Sequence, residues 1–349
     1  MGNKNYEVIT ECVAIKDEYM YCVAREMNII LKINKESLQV EIMTNMPDED
    51  GMVSRLYFGI YIDGDEMMLV PCNAKKLWIY NFVTCTWKGL ALDDFVDPNM
   101  EAKFVGGALK NGMAYLYGFK YKGILKVNVK SGEITELLEK QGEYAFWGES
   151  TAELDNKLYV ANRLESNVMC IDTYNAKIKK IFIDECKQRD KYKNDGIVNV
   201  GDTFYIMSHH GNYFIKWNSR EETQIIEIDK IFDTMESYFN GIAASKDIVF
   251  LYGSKKKNFI YNINSPNNSY VLDGNIYFAK YFENIGFVVC KKGKINIYDS
   301  QYRLLNIIDI NINNSKHDMI MKKNKIESKV YKENDFVRLN EFVKLFEEN

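Results

Sequence analysis

The sequence contains little proline, little histidine and no long apolar run. Only 4 of its 349 residues are Pro and only 3 are His. Tyr (24) and Phe (19) are abundant by contrast, and aromatic side chains fit half-buried pleated strands. Three His residues are too few for a histidine-rich metal centre. No segment approaches the roughly 18 apolar residues of a membrane-spanning helix.

An excess of one charge is also missing. Lys and Arg number 45 against 49 Asp and Glu, for a formal net charge of -4. A nucleic-acid partner is therefore not expected, because such binding needs a basic surplus. The N-terminus lacks the apolar stretch and small-residue cleavage site of a secretory signal. We expect a cytoplasmic protein that contacts no membrane.

Known motifs for catalysis and cofactor binding are missing too. The chain has no nucleophile elbow, no phosphate-binding loop, no zinc-protease motif and no dinucleotide glycine motif. Its 7 Cys residues show no CxxC spacing, so we expect reduced thiols in the core. The sequence thus predicts neither a metal site nor a cofactor.

One unit recurs along most of the chain, and its first marker is a polar turn followed by an apolar strand. The markers are separated by steps of 45 to 48 residues, except for a last step of 38. Asp, Asn and Gly favour β-hairpin turns because such turns need residues with positive φ. The marker residues are Asp17, Asp65, Asn111, Asn156, Asp202, Asp247 and Ile285.

A second marker is an Asn or Asp where the third strand of a unit ends. Such side chains bond to the backbone two residues further on, which starts a turn. Between the markers the apolar period is two, which indicates strands and not helices. The residues at these strand ends are Asn34, Asn81, Asn128, Asp172, Asn218 and Asp299.

Four strands in a unit of about 45 residues predict one blade of a β-propeller. We therefore predict an all-β, seven-bladed β-propeller of four-stranded antiparallel blades over residues 1–311. The predicted blades cover residues 6–46, 54–95, 102–140, 146–186, 193–230, 238–274 and 276–311.

A family resemblance accompanies the repeat. Tyr80, Asn81 and Trp87 have the spacing of the Tyr-Asp…Trp segment in kelch repeats. The chain therefore resembles kelch-type and WD-like propeller proteins in architecture over about residues 6–311. The resemblance implies the fold and transfers no activity, since the kelch double glycine is missing. The residues near its place are Cys72, Phe119, Arg163 and His209.

Residues 312–349 leave the repeat and form a C-terminal extension. Within it we predict a short amphipathic helix at residues 335–347, because apolar side chains recur at spacings of three and four. This helix either packs on the outer surface of the propeller or docks a partner protein. Its apolar residues are Phe336, Leu339, Phe342, Val343 and Phe346.

A propeller gathers the starts of its first strands and the loops after its second strands on one face, here called the funnel face. Aromatic walls with a few polar groups are typical of ligand pockets, and cations attract anionic ligands. Alternatively, the aromatic side chains plug the ring centre and the cations form a solvated rim. The candidate ligand-binding residues are Arg25, Tyr57, Phe104, Lys120, Trp147, Arg163, Asn240, Lys255 and Tyr277.

Two adjacent histidines give the most specific single feature. His209 and His210 belong to a loop expected on the funnel face, after Glu149 and Asp195 of two neighbouring units. A carboxylate that orients a histidine forms an elementary acid–base pair. The alternative is that both His residues are ordinary polar loop residues.

The sequence favours a non-catalytic binding or scaffold module. Its funnel face would hold a peptide, an acidic small molecule or a partner protein. The alternative is a metal-independent lyase, cyclase or hydrolase that uses the His and carboxylate residues. A carbohydrate-binding propeller is a third hypothesis, because Trp147 and Tyr side chains stack on sugar rings. Fold alone does not decide among them.

Overall fold

The structure is a computed structural model. It describes residues 6–44, 46, 49, 53–138, 147–162, 167–183, 194–208, 213–218, 223–228, 239–253 and 257–312.

Within these residues the chain forms seven four-stranded antiparallel sheets, each with its strands in chain order. Each sheet is one blade, which confirms the predicted seven-bladed β-propeller. β1 (Tyr6–Glu7) precedes the first blade. The strands of blades 1 to 4 are β2 (Thr10–Lys16), β3 (Tyr19–Ala24), β4 (Ile30–Asn34), β5 (Val40–Thr44), β6 (Tyr57–Asp63), β7 (Glu66–Pro71), β8 (Lys76–Asn81), β9 (Thr86–Ala91), β10 (Phe104–Lys110), β11 (Met113–Gly118), β12 (Ile124–Asn128), β13 (Ile134–Leu138), β14 (Trp147–Leu154), β15 (Lys157–Asn162), β16 (Asn167–Asp172) and β17 (Ile178–Phe182). Those of blades 5 to 7, with the last short strand, are β18 (Asn194–Val200), β19 (Thr203–Ser208), β20 (Tyr213–Trp217), β21 (Gln224–Glu227), β22 (Gly241–Ala244), β23 (Ile248–Tyr252), β24 (Lys257–Asn262), β25 (Tyr270–Asp273), β26 (Phe278–Phe282), β27 (Gly286–Lys291), β28 (Lys294–Tyr298), β29 (Leu304–Asp309) and β30 (Asn311–Ile312).

The hairpin turns between first and second strands have the backbone that their residue types favour. Asp17, Asn111 and Asn156 have φ of 51°, 51° and 57°. In blades 2 and 5 the positive φ falls on Gly64 and Gly201, both at 56°. Asn, Asp and Gly tolerate this left-handed region better than other residues, so local chemistry determines where each blade turns.

The ends of the third strands are capped by their own side chains. Asn34 Oδ1 accepts hydrogen bonds from the backbone N–H of Glu36 at 3.0 Å and of Ser37 at 2.8 Å. This local capture of two donors stops the strand and starts the turn to the fourth strand. The same pair of bonds is made by Asn81, Asn128, Asp172 and Asn262.

The hydrophobic core is divided among the contacts between neighbouring blades. The described residues form seven buried clusters, and each joins two adjacent blades. One cluster packs Val288 and Ile295 of blade 7 against Met20 and Ile33 of blade 1, so the ring is closed. A blade buries its two faces only against its neighbours, and ring closure therefore completes the core.

The ring is also joined by a clip between the two ends of the propeller. β1 pairs antiparallel with β30, outside the seven four-stranded sheets. The turn residue Gly293 donates its N–H to Val8 O at 2.8 Å and accepts from Ile310 N at 2.9 Å. Gly293 has φ of 71°, and a Cβ there would lie 3.0 Å from Asn311 Oδ1. Glycine at this turn thus lets β1 and β30 approach the second hairpin of blade 7.

The fold class predicted from the sequence needs one correction. It joined a C-terminal helix to the propeller, but no α-helix occurs in the part of the chain that the structure describes. The single helical element there is the 3₁₀ turn Pro266–Asn268, because the other described segments have the period of strands. The predicted helix at residues 335–347 lies outside the described residues. Within the same limits, no helix has the length and apolar character needed to cross a membrane.

Candidate functional site

The first strands of blades 1 to 5 are irregular near their first residues. A β-bulge of this kind bends the strand and re-aims a side chain, and bulges are frequent beside functional sites. The bulges lie at the starts of the first strands, which the sequence assigned to the funnel face. The register shifts fall between Thr10 and Val13, Tyr57 and Gly59, Phe104 and Gly106, Trp147 and Thr151, and Asn194 and Gly196.

The bulge in β2 carries Glu11, which binds two arginines from different loops. Arg25 Nη1 donates to Glu11 Oε1 at 3.0 Å. Arg55 donates through Nε to Oε2 at 2.8 Å and through Nη2 to Oε1 at 2.7 Å. This bidentate contact fixes the guanidinium plane, as fork-shaped pairs do. The Glu11 side chain is 10% exposed, and those of Arg25 and Arg55 are 31% and 40% exposed.

This arginine cluster, Glu11 with Arg25 and Arg55, is held on the funnel face by the backbone. Arg25 follows β3, and its N–H donates to Ile9 O at 2.8 Å. Arg55 precedes β6, and its N–H donates to Arg25 O at 2.7 Å. The cluster therefore joins the loop of blade 1 to the start of blade 2.

An open cleft lies on the same face where blades 7 and 1 meet. Its volume is about 370 Å³. The loop of blade 1 contributes Glu26, which follows Arg25, and the turn of blade 7 contributes Lys292. Tyr6 and Glu7 of β1, together with Ile9, complete the lining.

Glu26 is the least satisfied polar group of the cleft. Its Oε2 atom is buried and has no hydrogen-bond partner among the described residues. Burial raises the pKa of Glu26, although the backbone N–H groups of Glu26 and Ile9 and the Arg25 charge oppose the rise. The pKa of Tyr6 is also raised, first by burial and then by Glu26. A donor from a ligand in the cleft would satisfy Glu26 Oε2 and oppose the rise in the pKa of Glu26.

Two lysines in loops on this face have acidic neighbours. Lys292 Nζ lies 3.3 Å from Glu7 Oε2, and both side chains are more than half exposed. Lys120 Nζ lies 3.8 Å from Glu101 Oε2. The arginine cluster pairs two arginines with one carboxylate, and Glu26 follows Arg25 in the chain.

Two of the predicted aromatic residues do not line an open funnel. Tyr57 is 3% exposed and packs in the cluster between blades 1 and 2. Its hydroxyl has no partner within the described chain, and burial, then Glu49, raises its pKa. Phe104 is fully buried, with its ring centroid 5.4 Å from that of Tyr121. Both side chains stabilise the contacts between blades.

The remaining described candidates lie near the starts of the first strands of their blades. Asn240 and Tyr277 are half-buried, and their backbone N–H groups donate to Tyr252 O at 2.8 Å and Cys290 O at 3.0 Å. Asp195 is 1% exposed and sits in the bulge of β18. Trp147 and Glu149 belong to β14, but their side chains lie outside the described part. Four candidates lie wholly outside it, namely Arg163, His209, His210 and Lys255.

Sequence reasoning found Arg25 but missed Glu11, Arg55 and Glu26 as members of the site. Arg55 stands two residues before the candidate Tyr57, so including two more residues before each strand start would have found it. No sequence signal marks Glu11, because the bulge that turns it toward the arginines is a feature of strand pairing. Within the described residues, no group of three or more His, Cys, Asp or Glu is arranged to hold a metal ion.

Comparison with known proteins finds likeness in structure alone. No protein-family model and no curated protein sequence matches the chain. Virginiamycin B lyase from Staphylococcus aureus superposes with a TM-score of 0.61 at 14% identity, over 88% of this chain and 99% of the lyase. Saccharomyces cerevisiae Sqt1 gives 0.61 at 10% identity, over 88% of this chain and 87% of Sqt1.

A third solved structure, U3-55K, gives a TM-score of 0.58 at 12% identity, over 86% of this chain and 90% of that protein. At such low identities the likeness establishes the propeller fold alone. Neither kelch-type membership nor an activity follows from it.

Proposed function

We propose that this protein is a non-catalytic binding module whose funnel face holds a peptide, an acidic small molecule or a partner protein. The arginine cluster beside the open cleft is the observation that carries the proposal. Arg25 uses only Nη1 on Glu11 in the described contacts, and its side chain is about one-third exposed. A guanidinium group with exposed surface is well suited to bind an acidic group.

Preorganisation strengthens this interpretation. Glu11 holds Arg55 through two bonds, so a ligand does not have to order that long side chain on binding. The neighbouring cleft adds Glu26 and Lys292, which offer an acceptor and a donor to a polar ligand. An elongated ligand with an acidic end therefore matches the charges along this part of the funnel face.

The test is thermal unfolding with three anionic probes: citrate, inorganic phosphate and a five-residue peptide of Glu. A ligand that binds only the folded state adds about 2.7 kcal/mol at 100 times its Kd. We expect at least one probe to raise the Tm of the wild type.

The matched variants are Arg25→Met on the funnel face and Arg303→Met, whose arginine pairs with Asp299 outside it. We expect Arg303→Met to keep the shift and Arg25→Met to lose most of it. The proposal is wrong if no probe shifts the wild type, or if Arg25→Met responds as strongly as the wild type.

An enzyme is the second candidate. The ladder of blade 5 pairs Asn194 with Ser208, and in the sequence Asp195 follows Asn194 and His209 follows Ser208. The similar fold of a lyase, of which a catalytically inactive histidine variant is known with quinupristin, gives a first substrate to try. Conversion of quinupristin, followed by chromatography and abolished by His209→Ala with His210→Ala, would favour this candidate over simple binding.

A further inference from the structure

The outermost strand of blade 7 exposes an unusual amount of apolar surface. Leu304, Leu305 and Ile307 of β29 are 52%, 55% and 47% exposed. Among the described residues, every other outermost strand has at most one large hydrophobic side chain exposed to a similar degree. The apolar surface is therefore specific to this blade and not a property of the repeat.

Blade 6 extends the same surface through Tyr270, which is 42% exposed at the start of β25. Burial raises the pKa of Tyr270, and Tyr298 adds to the rise. Tyr298 is in turn the ladder partner of Leu304. We call Tyr270, Leu304, Leu305 and Ile307 the outer apolar strip.

The strip lies on a strand edge that the described chain leaves open. β29 pairs with β28 alone, so its other edge faces outward. Natural proteins protect such edges with charged residues or with a covering segment. β29 has no charged residue before Asp309, its last. A covering segment would remove the exposed apolar side chains of this strand from water.

The chain itself supplies a cover that starts close by. β29 is followed at once by β30, which ends at Ile312, and residues 313–349 continue from there. The stretch from Ile312 to Phe336 can span up to about 75 Å, whereas a six-residue strand is about 20 Å long. A segment of the same chain is present near the strip at an effective concentration of about 1 mM. A second copy of the chain reaches that concentration only in concentrated solution.

We propose that the outer apolar strip is the docking surface for the chain's own C-terminal segment, residues 334–346. Phe336, Leu339 and Phe342 provide the apolar side chains that cover the strip. Removing this surface from water is the driving force. The contact covers the outer edge of blade 7 and leaves the funnel face open.

The test is photo-crosslinking in the full chain, with Leu305 replaced by p-benzoylphenylalanine. Leu305 is more than half exposed, so the larger side chain does not disturb the core. We expect mass spectrometry to locate the main crosslink within residues 334–346 of the same chain, at a yield that dilution does not change. The same probe at Val83, 72% exposed on blade 2, is the control and should not reach that segment.

A second variant tests the side chains that make the contact. Phe336→Ser combined with Phe342→Ser should lower the crosslink yield at Leu305 at least fivefold, with circular dichroism showing an intact propeller. A covalent dimer would mean that a second copy occupies the strip and would overturn the proposal. So would a crosslink outside residues 334–346, the absence of any crosslink, or a yield that the double variant leaves unchanged.

Discussion

The arginine cluster makes a quantitative prediction for Glu11→Gln, which keeps the shape of the side chain and removes its charge. Three charge-assisted hydrogen bonds of 2.7 to 3.0 Å end on this carboxylate. Exposed ion pairs contribute about 0 to 1 kcal/mol, whereas removing one partner of a buried pair costs about 3 to 5 kcal/mol. Glu11 is 10% exposed and its arginines are 31% and 40% exposed, which places the cluster between these limits.

We therefore expect Glu11→Gln to lower the free energy of unfolding by about 2 kcal/mol. The assay is urea unfolding at pH 7, followed by far-UV circular dichroism in low salt and in 1 M NaCl. The matched control is Glu7→Gln, because the Glu7–Lys292 pair is 53% and 59% exposed and makes one contact of 3.3 Å. Glu7→Gln should cost less than about 1 kcal/mol and lose its effect in salt. Equal costs for the two variants would refute the reasoning.

Two further predictions concern the closure of the ring and the cleft. Gly293→Ala should lower the free energy of unfolding by about 1 kcal/mol more than Gly64→Ala does. Both residues have positive φ, but of the two only Gly293 would have a Cβ 3.0 Å from another atom. Equal Tm values for the two variants would contradict the proposed role of Gly293. For Glu26→Gln, Tm measured from pH 4 to pH 8 should show a stability advantage that grows with pH. Burial holds the pKa of Glu26 above its ordinary 4.5 in the folded protein. The stability that protonated Glu26 contributes is therefore fully present below pH 4.5 and is lost as the pH rises through the raised pKa, where the buried carboxyl ionises. A difference in Tm that stays constant across this range would show that Glu26 is not the group responsible.

The blades could be predicted from the sequence because their markers act over a few residues. Asn34 satisfies backbone donors two and three residues away, and Asp17 accepts positive φ at a turn. Such contacts depend on residue type and hardly on the rest of the fold. Repetition of these markers along the chain then implied seven blades, which the structure confirms.

The site needed contacts that no local pattern contains. Glu11 and Arg55 are 44 residues apart and belong to different blades. The bulge in β2 turns Glu11 toward the arginines, while Tyr57 and Phe104, assigned to an open funnel, are buried between blades. Side-chain direction near a bulge depends on strand pairing, so a position near a strand start does not decide whether a side chain faces the funnel.

The sequence by itself determined the unit, its four strands and its turns, because hydrogen bonds between near neighbours specify them. Only the tertiary structure decided how the ring closes and which charges meet. Closure requires β1 to reach β30 past Gly293, and Tyr6 and Ile312 pair although almost the whole propeller separates them in the chain. The small rotation from one blade to the next accumulates around the ring, and this sum sets which distant residues come into contact.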